Sequence, residues 1–178
     1  MAGLTGKILS VVLVASGLAA GGAMYYLQVY GFYQNVALQP GRDVMLVPLG
    51  GAAPQPIAYS DFQAIDADSS PIRYRACFRT DLPEEEIAAA CQPYEGAEPL
   101  EAPGWFDCFD ADEIGAALEA GEAMAYLSVA NITYGVDRIA AVFPDGRGYV
   151  WHQINHCGEV VFDGRPAPEG CPTPPETN

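Results

Sequence analysis

An uncharged apolar run near the amino terminus constrains this chain more than any other feature. Ile8 to about Leu27 is a stretch of twenty residues without a charged side chain. At a rise of 1.5 Å per residue, a helix of that length covers the hydrocarbon layer of a bilayer. Aromatic rings of the kind that settle at lipid headgroups lie at the end of this run and just after it: Tyr25, Tyr26, Tyr30, Phe32 and Tyr33. We therefore predict a single membrane-spanning helix that anchors the rest of the chain to the lipid bilayer.

The charges on either side of this run predict its orientation. Lys7, the only lysine, precedes it, and positive flanks stay in the cytoplasm. The amino terminus is then cytoplasmic and the remainder extracytoplasmic. The alternative is a cleaved signal peptide, since Gly21 and Ala23 are small enough for a signal peptidase site. The aromatic cluster favours the anchor, because it extends the segment beyond what a signal peptide requires.

A stripe of small residues marks one face of the predicted helix. Gly17 and Gly21 form a G-x-x-x-G pair with Ser16, Ala20 and Gly22 beside it. A second helix could approach such a face closely. Gly and Ala are common throughout the chain, so composition alone is the competing explanation. The pair indicates a membrane-protein partner for the anchor.

The part beyond the anchor is long enough for one folded domain. The chain has 178 residues, half of them hydrophobic, with 10 Tyr, 7 Phe and 2 Trp, which is enough to bury a core. We divide it into a cytoplasmic amino terminus (1–7), a transmembrane helix with its aromatic interface (8–33), a neck (34–41), a folded domain (42–165) and a proline-rich tail (166–178).

The folded domain is strongly acidic. All 23 Asp and Glu and seven of the eight basic residues lie after residue 40, which gives this part a formal charge of −16. Such a surface repels phosphate backbones and anionic lipid headgroups, so we expect no nucleic-acid partner. Solubility explains the charge; a basic protein partner is the other interpretation.

Local patterns predict an α+β domain that combines an antiparallel sheet with two short helices. Asp81 is the expected N-cap of the first helix, which ends near Ala90, and Asp110 caps a second over Ala111 to Ala120, stopped by Gly121. Loops are expected over Gly50 to Pro56 and through Asp61 to Ser70. The predicted strands are Asp43 to Leu49, Ile72 to Arg79, Met124 to Ile132, Val136 to Phe143, Tyr149 to Ile154 and Glu159 to Phe162.

Five cysteines, all beyond the anchor, suit an oxidising compartment. Two pairs are each 14 positions apart, Cys77 with Cys91 and Cys157 with Cys171, and we take these four as the disulfide candidates. Sequence leaves the connectivity open, because Cys108 is either a buried free thiol or the partner of Cys91.

Two clusters carry ligand chemistry. His152, His156 and Cys157 could hold zinc or copper if the chain turned at Asn155, but on one strand the two imidazoles would lie about 13 Å apart. The alternating strand from Ile72 puts Arg73, Arg75 and Arg79 on one face, and guanidiniums in a row can bind small anions. The competing interpretations are structural histidines and arginines paired with the protein's own acids.

Three strings in the domain resemble an uncharacterised proteobacterial family of single-span membrane proteins with a periplasmic domain. They are 103–110 (PGWFDCFD), 134–138 (YGVDR) and 149–155 (YVWHQIN), behind an anchor that ends in Met24 to Leu27. The resemblance spans nearly the whole chain. It implies a bacterial inner membrane and a periplasmic domain, and it brings no catalytic residues and no cofactor.

No catalytic or cofactor motif outweighs its structural interpretation, so we expect the protein not to be an enzyme and to need no cofactor. Our leading hypothesis is a noncatalytic, membrane-anchored periplasmic accessory or assembly subunit of a larger membrane complex. The alternative is a periplasmic module that binds a metal or a small anion.

Overall fold

The computed structural model describes residues 2–175 and the side chains from residue 6 onward. Contacts divide the chain into two compact units, Met1–Tyr33 and Gln34–Asn178. The first unit is one helix, α1 (Ala2–Tyr26), continued by a π-helical turn over Leu27–Gly31. Its segment Gly6–Gly31 has the length and hydropathy that a membrane span needs, and a signal sequence near the amino terminus meets the same test.

The second unit is an antiparallel sheet with helices, as expected for the α+β class. Six strands hydrogen-bond in the order β1-β4-β5-β8-β7-β6, and two short strands, β2 and β3, form a separate ribbon. The strands are β1 (Gln34–Asn35), β2 (Met45–Leu46), β3 (Gln55–Pro56), β4 (Ser60–Asp66), β5 (Arg75–Arg79), β6 (Met124–Thr133), β7 (Val136–Val142) and β8 (Arg147–Ile154). The helices of this unit are α2 (Glu84–Ala90), α3 (Ala111–Ala120) and α4 (His156–Phe162).

The six-stranded sheet is buried on both faces at its central strands, since successive side chains point to alternate faces and most residues of β5, β7 and β8 are buried. On the first face, Ala76, Phe78 and Val150 pack with Leu46 of β2 and Ile87 of α2. Tyr149 and Trp151, on either side of Val150, point to the second face. There Phe109 contacts both rings edge to face, and Ile114 of α3 is buried.

The hairpin of β7 and β8 supplies the centre of the sheet. Its turn closes through hydrogen bonds from Phe143 N to Arg147 O at 2.9 Å and from Gly146 N to Phe143 O at 3.0 Å. Gly146 has φ +81°, and a Cβ there would collide with the Thr80 carbonyl oxygen, so the turn requires glycine. The predicted meander of β6, β7 and β8 is confirmed, as is α3 with its Asp110 N-cap and Gly121 C-cap.

Other boundaries and elements differ from the sequence predictions. The expected loop through Asp61 contains β4, where Asp61 lies at an irregularity with φ +50°; β1 covers only the end of β4, so polar side chains are tolerated along it. The expected strand Glu159 to Phe162 is the end of α4, because Asn155 caps a helix there with its side chain. Of the predicted strand Asp43 to Leu49, only the two residues of β2 are in a strand, and β3 lies inside the expected loop Gly50 to Pro56. Helix α2 begins after Pro83, and the Asp81 side chain does not cap it.

The disulfides are Cys77–Cys108 and Cys157–Cys171, and Cys91 is free. Three of the four disulfide candidates are bonded: Cys157 to Cys171, at the spacing noted in the sequence, and Cys77. The fourth candidate, Cys91, is wrong, and so are both alternatives for Cys108, because Cys108 bonds to Cys77. Alternation along β5 explains the error: Ala76 and Phe78 point to the face against which Cys91 packs, so Cys77 points to the opposite face. There it meets Cys108, beside Phe109.

Removal of Cys108 should cost more stability than removal of Cys91. The Cys77–Cys108 bond closes a sequence separation of 31 residues, and chain entropy then predicts a loss of about 3 to 4 kcal/mol for Cys108→Ala. Cys91→Ala, which breaks no bond, should cost about 1 kcal/mol or less. Urea unfolding of the two variants measures the difference, and equal losses would contradict this disulfide assignment.

Gly148 should tolerate no side chain. It lies opposite Phe78 in the β5–β8 pairing, and a Cβ added there would overlap the Phe78 ring. We expect Gly148→Ala to lower the free energy of unfolding by about 1 to 3 kcal/mol through overpacking. Gly104→Ala is the control, because no atom lies within 4 Å of its added Cβ; a control that lost as much would contradict the close packing on Phe78.

Candidate functional site

A row of polar side chains crosses one end of the sheet on its first face. Arg138 of β7 lies opposite His152 of β8, and Tyr74, just before β5, stacks on the imidazole with 4.8 Å between ring centroids. The Arg138 guanidinium carbon lies 4.3 Å from the centre of the Tyr74 ring, a cation–π contact. Asp66 at the end of β4 is next to this row, and burial raises the pKa of its carboxyl.

Both nitrogens of His152 are used within this row. Arg138 Nε donates to Nε2 at 3.0 Å, and Nδ1 lies 2.8 Å from the Pro71 carbonyl oxygen. Since Arg138 is always a donor, Nδ1 must carry the proton of a neutral ring. Burial, and then the Arg138 charge, lower the pKa of His152 to about 4. The imidazole is therefore a neutral structural group at neutral pH, with no lone pair left for a metal or a substrate proton.

The proposed metal ligands do not come together. His152 is buried in β8, whereas His156 is exposed on α4, beyond the end of that strand. The sulfur of Cys157 is bonded to Cys171, so it offers no thiolate. Within residues 2–175, no group of three His, Cys, Asp or Glu side chains is arranged to hold a metal ion.

The three arginines of the predicted anion stripe have different surroundings. Arg75 is buried on the second face and donates to the carbonyl oxygens of Leu100 at 2.6 Å, Ile72 at 2.9 Å and Glu101 at 3.2 Å. Arg79 is exposed and donates to the Asp145 carbonyl oxygen at 3.1 Å. Arg73 precedes the first residue of β5. The alternation from Ile72 suggests a strand with one buried face, but β5 is buried on both faces because it is central in the sheet.

A second polar network fixes the turn at 94–99. Asp137, buried in β7, accepts hydrogen bonds from Tyr94 Oη at 3.2 Å and Asn155 Nδ2 at 2.7 Å, and burial followed by the Asp137 charge raises the pKa of Tyr94. Gln153 binds the same turn from β8, because its Oε1 accepts from Glu98 N at 2.7 Å and its Nε2 donates to Gly96 O at 2.8 Å.

This turn forms one wall of an open groove of about 920 Å³. Helix α3 is the other wall, and the start of β6 is the floor. Buried small side chains from Ala111, Ala123 and Ala125 line its base. Four exposed carboxylates surround it, and we call the whole the acidic groove: Glu95, Glu98, Asp112 and Glu119.

Sequence patterns missed the groove and the partners of His152, for different reasons. Arg138 and His152 are each seven positions from Asp145, so the register of a hairpin closed there pairs them. That signal was present in the sequence. Glu95 and Glu119, by contrast, lie in a loop and at the end of a helix, and only the packing of α3 on the sheet brings them to one cavity.

Comparison with known proteins identifies a family for the chain. The sequence profile of a family of unknown function, DUF6446, matches residues 44–172, which is most of the chain. No curated protein and no solved structure matches it.

His152 should make the folded domain sensitive to mild acid. Its pKa is about 4 in the folded state against 6.5 in an exposed side chain, so between these values the unfolded chain binds a proton that the folded chain does not. Stability is therefore unaffected by this group above pH 6.5 and falls as the pH drops toward 4, by about 3 kcal/mol in total.

The test compares urea unfolding at pH 4.5 and 7.5 for the wild type and His152→Gln. The variant should lose less stability between the two pH values, because its side chain does not titrate. His156→Gln, at the other, exposed histidine, shows what the same substitution does away from the buried site. Parallel pH profiles for wild type and His152→Gln would refute the buried neutral imidazole.

Proposed function

We propose a role for this chain, which belongs to the DUF6446 family of unknown function: it is a noncatalytic, membrane-anchored accessory or assembly subunit of a larger membrane complex. Helix α1 crosses a bacterial inner membrane with its amino terminus in the cytoplasm. The folded domain lies in the periplasm and contacts partner proteins there.

The exposed apolar surface of α1 carries this proposal. Leu18 is 72% exposed and Val11 67% exposed, and further aliphatic side chains along the helix are similarly open. Each Å² of such surface costs about 25 cal/mol in water, so the helix needs lipid or another protein around it. The hydroxyls of Ser10 and Ser16 donate to carbonyl oxygens of their own helix, at 3.0 Å each, which suits a helix in hydrocarbon.

One face of α1 is open to a second helix. No atom lies within 4 Å of a Cβ placed on Gly17, Gly21 or Gly22. A neighbouring backbone can therefore approach closely along the G-x-x-x-G pair and gain van der Waals contact, the main force that joins helices in lipid. A helix that served only as a tether would gain nothing from such a face.

Features of the folded domain agree with a noncatalytic role outside the cytoplasm. Two disulfides suit an oxidising compartment such as the periplasm, and Lys7 before the span favours a cytoplasmic amino terminus. The buried ionisable side chains of Arg75, Asp137 and His152 are engaged in hydrogen bonds that hold the fold.

The geometry does not favour the alternative, a metal- or anion-binding module. A metal site would need the Cys157 sulfur, which is in a disulfide. An anion site would need adjacent guanidiniums, and that of Arg75 is directed to backbone carbonyls.

Purification in mild detergent tests the accessory role. The protein should come out with one or more stoichiometric membrane proteins, identified by mass spectrometry. Gly17→Leu/Gly21→Leu should reduce the recovery of those partners, because two branched side chains would separate the helices.

Ala15→Leu/Ala19→Leu is the matched control, since it adds the same side chains at the same spacing on the opposite face of α1. It should retain the partners. Isolation of the wild-type chain alone and monomeric would refute the accessory role, and equal recovery with both pairs of substitutions would refute the glycine face as the contact.

A further inference from the structure

We infer that the acidic groove binds an extended basic and apolar segment of a partner protein. The inference rests on the proposed function, because it names the chemistry that such an accessory subunit recognises. The groove has two kinds of lining: small apolar side chains at its base and carboxylates around it. A segment in which aliphatic and cationic side chains alternate complements both.

The charge around the groove is of one sign. Four of its lining residues are acidic and none is basic, so the nearby potential attracts cations. The carboxylates are spread out, and among the described residues no group of three is arranged to hold a metal ion. This spacing fits several cationic side chains along a chain better than it fits one compact ion.

The base of the groove is shaped for bulky apolar groups. Ala111, Ala123 and Ala125 present only methyl groups there, and Gly115 presents none, so that Pro99 packs close to α3. Met124, at the start of β6, is 38% exposed and lines the same cavity. A polar cation alone would leave the exposed part of Met124 in water, whereas a leucine or aromatic side chain would cover it.

The groove is preformed. Its outer wall, the turn at 94–99, is held by both ends of the Gln153 amide and by the Tyr94 hydroxyl on Asp137. Tyr94 N also donates to the Ala125 carbonyl oxygen at 2.9 Å, which joins the wall to the floor. An incoming segment therefore does not have to order this wall, and less binding energy is lost.

The position of Glu119 is unfavourable for the helix itself. It lies in the last turn of α3, where no basic residue occurs, and a carboxylate there faces the negative end of the helix dipole. A lysine at the same position would stabilise the helix. Glu119 therefore adds negative potential to the groove but destabilises α3. Asp112 differs, because an acidic residue in the first turn stabilises the helix.

The experiment uses the full chain in nanodiscs of neutral lipid and three fluorescent twelve-residue peptides. The first peptide alternates Leu with Lys, the second Ser with Lys, and the third Leu with Glu. Fluorescence anisotropy at physiological salt should show binding of the Leu/Lys peptide, affinity lower by about fivefold or more for Ser/Lys, and no binding of Leu/Glu. Empty nanodiscs show how much peptide the lipid takes up.

Two charge-matched variants locate the binding. Glu95→Lys/Glu119→Lys should lower the affinity for the Leu/Lys peptide by about tenfold or more, and it should not lower the unfolding midpoint of the protein. Asp81→Lys/Glu169→Lys changes the net charge equally at exposed positions outside the groove, and its affinity should stay within about twofold. If the lysine pair did not fold, Glu95→Gln/Glu119→Gln against Asp81→Asn/Glu169→Gln would make the same comparison.

If both pairs of substitutions weakened binding of the Leu/Lys peptide equally, the peptide would be attracted by net charge alone, and the inference would be overturned. Absence of binding by the wild type would overturn it as well. The measurement needs no native partner. If the peptide test failed while membrane proteins still co-purified with the chain, the accessory role would stand without the groove. If the groove bound the peptide but the chain was isolated alone, only the accessory role would be refuted.

Discussion

The hairpin of β7 and β8 is the constraint on which the rest of the folded domain depends. Its turn at Asp145 sets which residues lie opposite one another, and β5 and β6 then add to its two edges. Because the side-chain period of a strand is two, a shift of one residue would move every core side chain to the other face. Gly146 and Gly148 protect that register, the first through its turn conformation and the second through its contact with Phe78.

Burial of both faces explains why the chemically suggestive residues turn out to be structural. In a sheet with one wet face, either Arg75 or His152 would be open to ligands, because the two lie on opposite faces. Here each is covered, so each must find partners inside the protein. Arg75 donates hydrogen bonds to backbone carbonyls, and the two ring nitrogens of His152 are hydrogen-bonded to Arg138 and to the Pro71 carbonyl. The same demand accounts for the buried carboxylate of Asp137, which joins the turn at 94–99 to the sheet.

The surfaces that remain for partners differ in the two units of the chain. Helix α1 offers apolar side chains and a glycine face, suited to lipid and to another helix. The folded domain offers the acidic groove. If α1 spans a membrane and the groove binds a partner, as we propose, the chain binds one partner by van der Waals packing in the membrane and selects a basic segment by charge outside it. Charge selects a partner more than it adds affinity, so the two surfaces have complementary roles.

The sequence by itself determined the local features: the apolar length of α1, the caps of α3, the meander of β6 to β8 and the short spacing that suits a Cys157–Cys171 bond. In each case the signal lies within about one element or one loop, where propensity and periodicity act. It also contained the Arg138–His152 pairing, through the symmetry of the hairpin about Asp145. Tertiary structure alone decided the rest, including β4, the Cys77–Cys108 bond and the groove. The physical reason is that each of these depends on which face of the sheet a distant segment covers, and burial against that segment overrides local preference.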